Sequence, residues 1–226
     1  MACKCTSASL GPLILRTALA VVFIWAGLTK VLATTEVTGK DVTLLKEMGV
    51  TPKTATVDGV TGTPAAASSD KLEVSLAYTL ALHLRKLEQP QGEQQITLWP
   101  KALTQDRWPV WAAYACTFTE LVGGALLLIG GLTRLAAFGI ATTMMTAMWL
   151  TVIGPAIASG KTHLGFLPDT EPLLGGNFMM VQFQFTLCLA AWALVFLGCG
   201  ALGLDNALFG RGKKPSKPKP AAPAEE

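Results

Sequence analysis

Four stretches of this chain, residues 13–32, 110–129, 135–153 and 178–197, are apolar almost without interruption. A helix needs about 20 such residues to cross a hydrocarbon core of roughly 30 Å, and each stretch meets that length. Hydrocarbon offers backbone N–H and C=O groups no partner, so a spanning segment that satisfies them internally is expected to be helical. The chain as a whole is 51% hydrophobic and only 15% charged, with a mean hydropathy of +0.45, too oily for an ordinary soluble domain. These features predict an all-α membrane protein, a bundle of four transmembrane helices over 13–32, 108–130, 133–154 and 178–198.

The pieces between set the organisation. Residues 1–12 precede the first helix, and 33–107 form a long connection where neighbouring helices of a bundle are usually joined by about 2 to 8 residues. A shorter connection covers 155–177, and a tail covers 199–226. The first apolar run is longer than the core of a signal peptide and no A-x-A site follows it, so it is expected to stay in the mature protein. Arg211, Lys213, Lys214, Lys217 and Lys219 crowd the tail, Arg134 lies in the tight link between helices two and three, and Lys4 and Arg16 flank the start of helix one. By the positive-inside rule both termini and the link face the cytoplasm, which leaves the long connection and the connection at 155–177 outside.

Within the long connection, "DGVTGTPAAASSD" reads as a flexible connector. After it, residues 70–88 read as an amphipathic helix: Asp70 and Glu73 match a capping box, Leu72, Leu76, Leu80, Leu84 and Leu87 recur at helical spacing, and Pro90 ends the run. Trp99, Trp108 and Trp111 follow at the expected outer interface, where indole rings settle between lipid and water. In the link "GGLTR", Gly130 and Gly131 are expected to end one helix and Thr133 to cap the next.

One charge stands apart. Glu120 sits in the middle of helix two, on a face shared with Ala113, Cys116, Thr117, Gly123, Gly124 and Leu127. Small residues let helices approach closely, so this face points into the bundle. A carboxylate at that depth costs several kcal/mol unless it is neutral or paired. Helix one offers two possible partners on one face, Arg16 and Lys30. Each lies about ten residues, or roughly 15 Å, from the centre of the span, a gap that long side chains and inward tilting only partly close, so direct pairing stays open. Two readings stand: a neutral or hydrogen-bonded carboxyl that serves assembly, or a proton-accepting or headgroup-binding group. Gln182 and Gln184 face differently, so at most one of them joins such a site.

Other chemistry has little support. The five cysteines include no C-x-x-C, and Cys3 with Cys5 makes an incomplete metal site. His83 and His163 have no Cys/His cluster around them, so no metal is expected. P-loop, G-x-G-x-x-G, G-x-S-x-G and H-E-x-x-H patterns are all missing, which leaves nucleotide binding and standard hydrolase chemistry unsupported and nucleic acid an unexpected partner.

The segments "LILRTALAVVFIWAGLTKVLA", "ELVGGALLLIGGLTRLAAFGIA" and "GCGALGLDNALFGR", in this order, resemble the DoxX family of four-helix membrane proteins. That family's G-P-G-x-x-S-L-D ending is met here with Cys199 for proline and Gly203 for serine. The matching positions are Arg16, Gly27, Lys30, Glu120, Gly124, Gly130, Arg134 and Asp205. The resemblance implies a multi-pass protein of the bacterial-type cytoplasmic (inner) membrane, part of an oligomer or complex. Family relatives form the membrane part of thiosulfate:quinone oxidoreductase or accompany other redox enzymes. It implies membrane lipid and redox or other protein subunits as partners, and a quinone as the possible cofactor. Glu120 would then exchange a proton or bond the headgroup, with Arg16, Lys30 or Arg134 stabilising negative charge on the reduced ring. Electrons would come from a flavin, a haem or a partner subunit. A non-enzymatic scaffold or assembly subunit is the alternative. A small-solute transporter is disfavoured because no span reads as interrupted.

Overall fold

The computed structural model describes residues 3–50, 71–87, 97–165, 167–169, 176–198, 200 and 203–205, with side chains from Leu10 onward except at 71, 167 and 176–178. The expected connector before Asp70, Asp70 itself, Pro90, Cys199, the basic tail and the side chains of Lys4, Cys3 and Cys5 lie outside the described residues.

Among these residues four helices are long and apolar enough to cross a membrane, at Leu10–Leu32, Trp108–Ile129, Thr133–Ala158 and Met179–Leu197. The first, α1, runs from Cys3 to Leu32. It therefore begins ten residues before the expected start and carries Pro12 inside it. Lys30 in its last turn is well placed against the negative end of the helix dipole.

Between α1 and the second long helix lies a small mixed cap. Strand β1 (Thr34–Thr38) is followed by helix α2 (Lys40–Glu47), strand β2 (Lys71–Ser75) and helix α3 (Leu76–Lys86). The strands are antiparallel, with Thr35 opposite Val74 and Val37 opposite Leu72. This corrects the amphipathic helix expected over 70–88. In "KLEVS" Leu72 and Val74 are buried while Glu73 between them is exposed, a period of two that a strand satisfies and a helix does not. The helix starts only at Leu76. Its buried positions include Ala77, Ala81 and Leu84, so Leu76 and Leu80 stand beside the buried face and are only partly covered. Leu72 and Val74 pack with Val37, Val42, Leu45, Met48 and Leu82 into a core of the cap's own.

The cap is tied directly to the bundle. The Leu76 N–H donates to the Ala33 carbonyl at 3.0 Å, so α3 starts where α1 ends. The helix α4 (Trp108–Ile129) lies along α3, and the Tyr78 and Tyr114 rings meet edge to face at 5.6 Å. Arg85 donates to the Thr104 carbonyl at 2.5 Å, and Arg107 to the Gly49 carbonyl at 3.0 Å. Val110 packs on the cap core. The first turns of α4 thus belong to the cap as much as to the bundle.

Gly130 ends α4 in the left-handed region, at φ 74°, as the glycine pair predicts. Helix α5 (Thr133–Met148) follows, then a π-helical turn (Trp149–Ile153) and α6 (Gly154–Ala158), all within one spanning segment. The expected end at 154 is therefore four residues early: Pro155 follows closely on the π-helical turn, and its missing N–H removes one bond from the helix without ending the span. The span is continuous but its hydrogen-bond pattern is not regular, which corrects the uninterrupted helix expected there. After a short hairpin of β3 (Thr162–His163) and β4 (Leu167–Pro168), helix α7 (Gly176–Leu197) completes the bundle.

Helix α1 packs along α4, α4 against α5, and α5 along α7. Their shared core is built from Leu19, Phe23, Leu127, Ile140 and Leu194 with alanines between them. Large apolar side chains also face outward: Trp25, Phe118 and Phe196 are 75%, 67% and 76% exposed. A surface as oily as the core needs lipid around it. The chain is a multi-pass membrane protein.

Candidate functional site

The α1–α4 seam is set by two glycines. A Cβ on Gly27 would stand 2.9 Å from the Leu121 Cβ and 3.0 Å from its backbone nitrogen, and a Cβ on Gly124 would stand 3.0 Å from the Ile24 backbone nitrogen. Only hydrogen fits in either place. The pairings of 27 with 121 and 24 with 124 also show that the helices are antiparallel.

This direction explains the site. A Cα–Cβ bond tilts toward the N-terminus of its own helix, so on antiparallel neighbours two side chains can lean toward each other. Lys30 leans down α1 and Glu120 leans up α4. The Lys30 Nζ donates to both carboxylate oxygens of Glu120, at 2.6 and 2.5 Å. Glu120 is 2% exposed, whereas the Lys30 side chain is 29% exposed. The Cys116 thiol, one turn before Glu120, lies 3.7 Å from a carboxylate oxygen. Thr117 does not take part, since its hydroxyl donates to the Ala113 carbonyl at 2.9 Å.

The gap of roughly 15 Å expected between Lys30 and the carboxylate does not exist. That distance assumes two helices centred at the same depth. Because α4 begins inside the cap and α1 ends at it, the last turn of α1 stands opposite the middle of α4.

Arg16 goes elsewhere. It is buried at the opposite end of the bundle, where a Cβ on Gly130 would overlap its guanidinium group. The segment after α7 folds back to the same place. Asp205 accepts from the N–H groups of Leu132 at 2.6 Å and Thr133 at 2.8 Å, and its own N–H donates to the Gly130 carbonyl at 3.0 Å. The α5 cap is thus supplied by Asp205 and not by Thr133, and it holds Leu132 in a left-handed conformation at φ 48°. Burial alone would raise the Asp205 carboxyl, but the two backbone N–H groups and the Arg16 charge outweigh it and hold the group below the usual carboxylate range.

The remaining expected site residues are dispersed. Arg134 is exposed beside Gly198, at the Asp205 end. The Gln184 amide lies 3.5 Å from the Thr151 hydroxyl, against the π-helical turn, and Gln182 is exposed. Of Arg16, Lys30, Arg134, Gln182 and Gln184, only Lys30 meets Glu120. His163 lies 3.1 Å from the Asp169 carboxylate on the surface, His83 is exposed, and no group of three or more metal-ligating side chains gathers among the described residues.

Sequence reasoning missed a groove at the cap end of α4, where Trp99 and Arg107 join Trp108, Trp111 and two alanines. The tryptophans were legible as interface residues, but nothing in the spacing marks Arg107 as their neighbour. No curated protein and no solved structure matches the chain. The DoxX family model matches residues 72–152, from β2 through α3 and α4 into the π-helical turn. The second half of the cap therefore lies inside the matched region together with Glu120, and over these residues the chain is similar to the DoxX family, in line with the resemblance read from the sequence.

Proposed function

We propose that this protein is the membrane subunit of a quinone-linked redox complex in a bacterial-type cytoplasmic membrane, with both termini inside and the cap outside. The Lys30–Glu120 pair is its ionisable element. The observation that supports this reading is the asymmetry of the pair: a carboxylate almost sealed in the seam is held by an ammonium group that remains partly open. Glu120 is the proton-exchanging group and Lys30 is its counter-charge. A quinone would supply two-electron redox chemistry, and a flavin, haem or partner subunit would deliver the electrons.

A second reading, a scaffold or assembly subunit, is favoured by the fact that Lys30 occupies both carboxylate oxygens. Purification in native lipids followed by turnover of the Glu120→Gln variant separates the two. Glutamine retains hydrogen bonding without proton exchange, so the redox reading expects co-extracted quinone, normal assembly and turnover reduced at least about 100-fold, the scale of one general acid–base group. Full turnover by the variant leaves the scaffold reading.

The orientation has its own test. Thr43 is exposed in α2 of the cap, and a Thr43→Cys variant is expected to react with an impermeant maleimide on intact cells. Labelling only after permeabilisation would reverse the topology.

A further inference from the structure

The segment that carries Asp205 also walls a groove. At the end of the bundle where Arg16 is buried, a space of about 500 Å³ opens between the start of α5 and the end of α7. Leu132, Arg134 and Leu135 line one side of it, and Leu197, Gly198 and Asp205 the other. The leucines give it an apolar half. Leu135 and Leu197 are 66% and 59% exposed and belong to spanning segments, so what they meet is lipid.

The polar half is not balanced. Asp205 is engaged inside the protein: its two oxygens accept from the Leu132 and Thr133 N–H groups, and the Arg16 charge lies near it. Arg134 has no such engagement. Its guanidinium makes no hydrogen bond or ion pair among the described residues, and it lies against Gly198, where a Cβ would stand 3.2 Å from its Nε. Gly198 is in the left-handed region at φ 75°, which favours glycine, and the missing side chain leaves the guanidinium room beside the groove. With Asp205 matched by Arg16, the charge of Arg134 is the one left over.

Depth decides what can reach that charge. Arg134 is the second residue of the spanning segment Thr133–Ala158, and Leu197 is the last of Met179–Leu197. The groove therefore lies where hydrocarbon gives way to headgroups. A cation at that level with an apolar wall beside it is complementary to an anionic amphiphile, phosphate on guanidinium and acyl chain on leucine. A soluble anion would leave the leucines uncovered, and a zwitterionic lipid would bring a second cation to Arg134.

We propose that this groove is the site of one anionic phospholipid, its phosphodiester held by Arg134 and an acyl chain lying on Leu135 and Leu197. Bound there, the lipid joins the start of α5 to the end of α7 beside the Asp205 cap. The site is separate from the Lys30–Glu120 pair and does not depend on the redox reading.

The test is equilibrium binding of phosphatidylglycerol with a fluorescent acyl chain to the full chain in neutral detergent micelles. Saturable binding of one lipid per chain is expected, with phosphatidylcholine competing about fivefold more weakly. Arg134→Gln removes the charge at an exposed position and is expected to weaken binding about tenfold, the scale of a hydrogen bond to a charged group. Arg134→Lys keeps the charge but loses the planar fork, and its affinity is expected to fall between the two. Lys101→Gln, which removes an exposed cation at the other end of the bundle, is expected to bind as the native chain does. Native affinity in Arg134→Gln would place the attraction on other cations, such as those of the tail, and overturn the groove. Equal competition by phosphatidylcholine would mean that the apolar wall alone holds a chain, and equal displacement by glycerol phosphate would make this a site for a soluble anion. Either result, or the absence of saturable binding to the native chain, removes the proposal.

Discussion

Lys30→Met is expected to destabilise the folded bundle by about 3 to 5 kcal/mol, the range found when one member of a buried ion pair is removed. The expected size follows from burial. Glu120 is 2% exposed, and its two oxygens take their short hydrogen bonds from Lys30, so without the ammonium group the carboxylate is stranded in the seam. Glu120→Leu is expected to cost less, about 1 to 2 kcal/mol, because Lys30 is 29% exposed and its long stem can carry the charge outward. Lys30→Met with Glu120→Leu removes both charges and is expected to recover most of the loss, as replacement of a buried pair by apolar side chains often does. Unfolding of the three variants in mixed micelles completes a double-mutant cycle. Equal losses for the two single variants, or additive losses in the double, would mean that the pair does not hold the seam.

The same pair shows what was legible in the chain and what was not. Composition and run length identify the four spans, since membrane crossing depends on local length and apolarity alone. The small-residue face of α4 correctly turns Glu120 inward, because that inference needs only the helical period. The partner was legible only as one of two candidates, Arg16 and Lys30, without a means of choosing between them. Whether Lys30 reaches Glu120 depends on the vertical offset of α1 against α4, and that offset comes from a cap whose strands pair residues nearly forty positions apart. The period of two in "KLEVS" is short enough to be absorbed into the leucine spacing of the helix that follows, and β1 lies far away in sequence. The resemblance names Asp205 as a position, but its capping role was hidden for a related reason. A cap contributed from 73 residues away leaves no local signature, whereas the nearby Thr133 looks like the obvious one. The π-helical turn at Trp149–Ile153 likewise has no breaker residue within it, and Pro155 beyond it marks the start of a helical turn instead of an end.

Gly27→Ala is expected to force α1 away from α4, although alanine is the better helix former by about 1 kcal/mol. Its Cβ would lie 2.9 Å from the Leu121 Cβ, 3.0 Å from the Leu121 nitrogen and 3.1 Å from its Cα. None of these atoms can swing aside by a side-chain rotation, so relief requires movement of a helix. Lipid gives helices no hydrophobic reason to stay together, and close van der Waals packing carries much of the association. Overpacking of this kind typically costs about 1 to 3 kcal/mol, and Gly27→Leu is expected to exceed that range. Movement at Gly27 also displaces Lys30, one turn away, so part of the loss arises from the stretched ion pair and is expected to shrink when Lys30 and Glu120 are already Met and Leu. Gly123→Ala supplies the contrast. Its Cβ would meet the terminal Ile140 Cδ1 at 3.2 Å, the movable end of a side chain, so unfolding in micelles is expected to show little change. Equal tolerance at Gly27 and Gly123 would show that the α1–α4 approach is looser than these distances require, and the short Lys30–Glu120 contact would lose the frame that holds it.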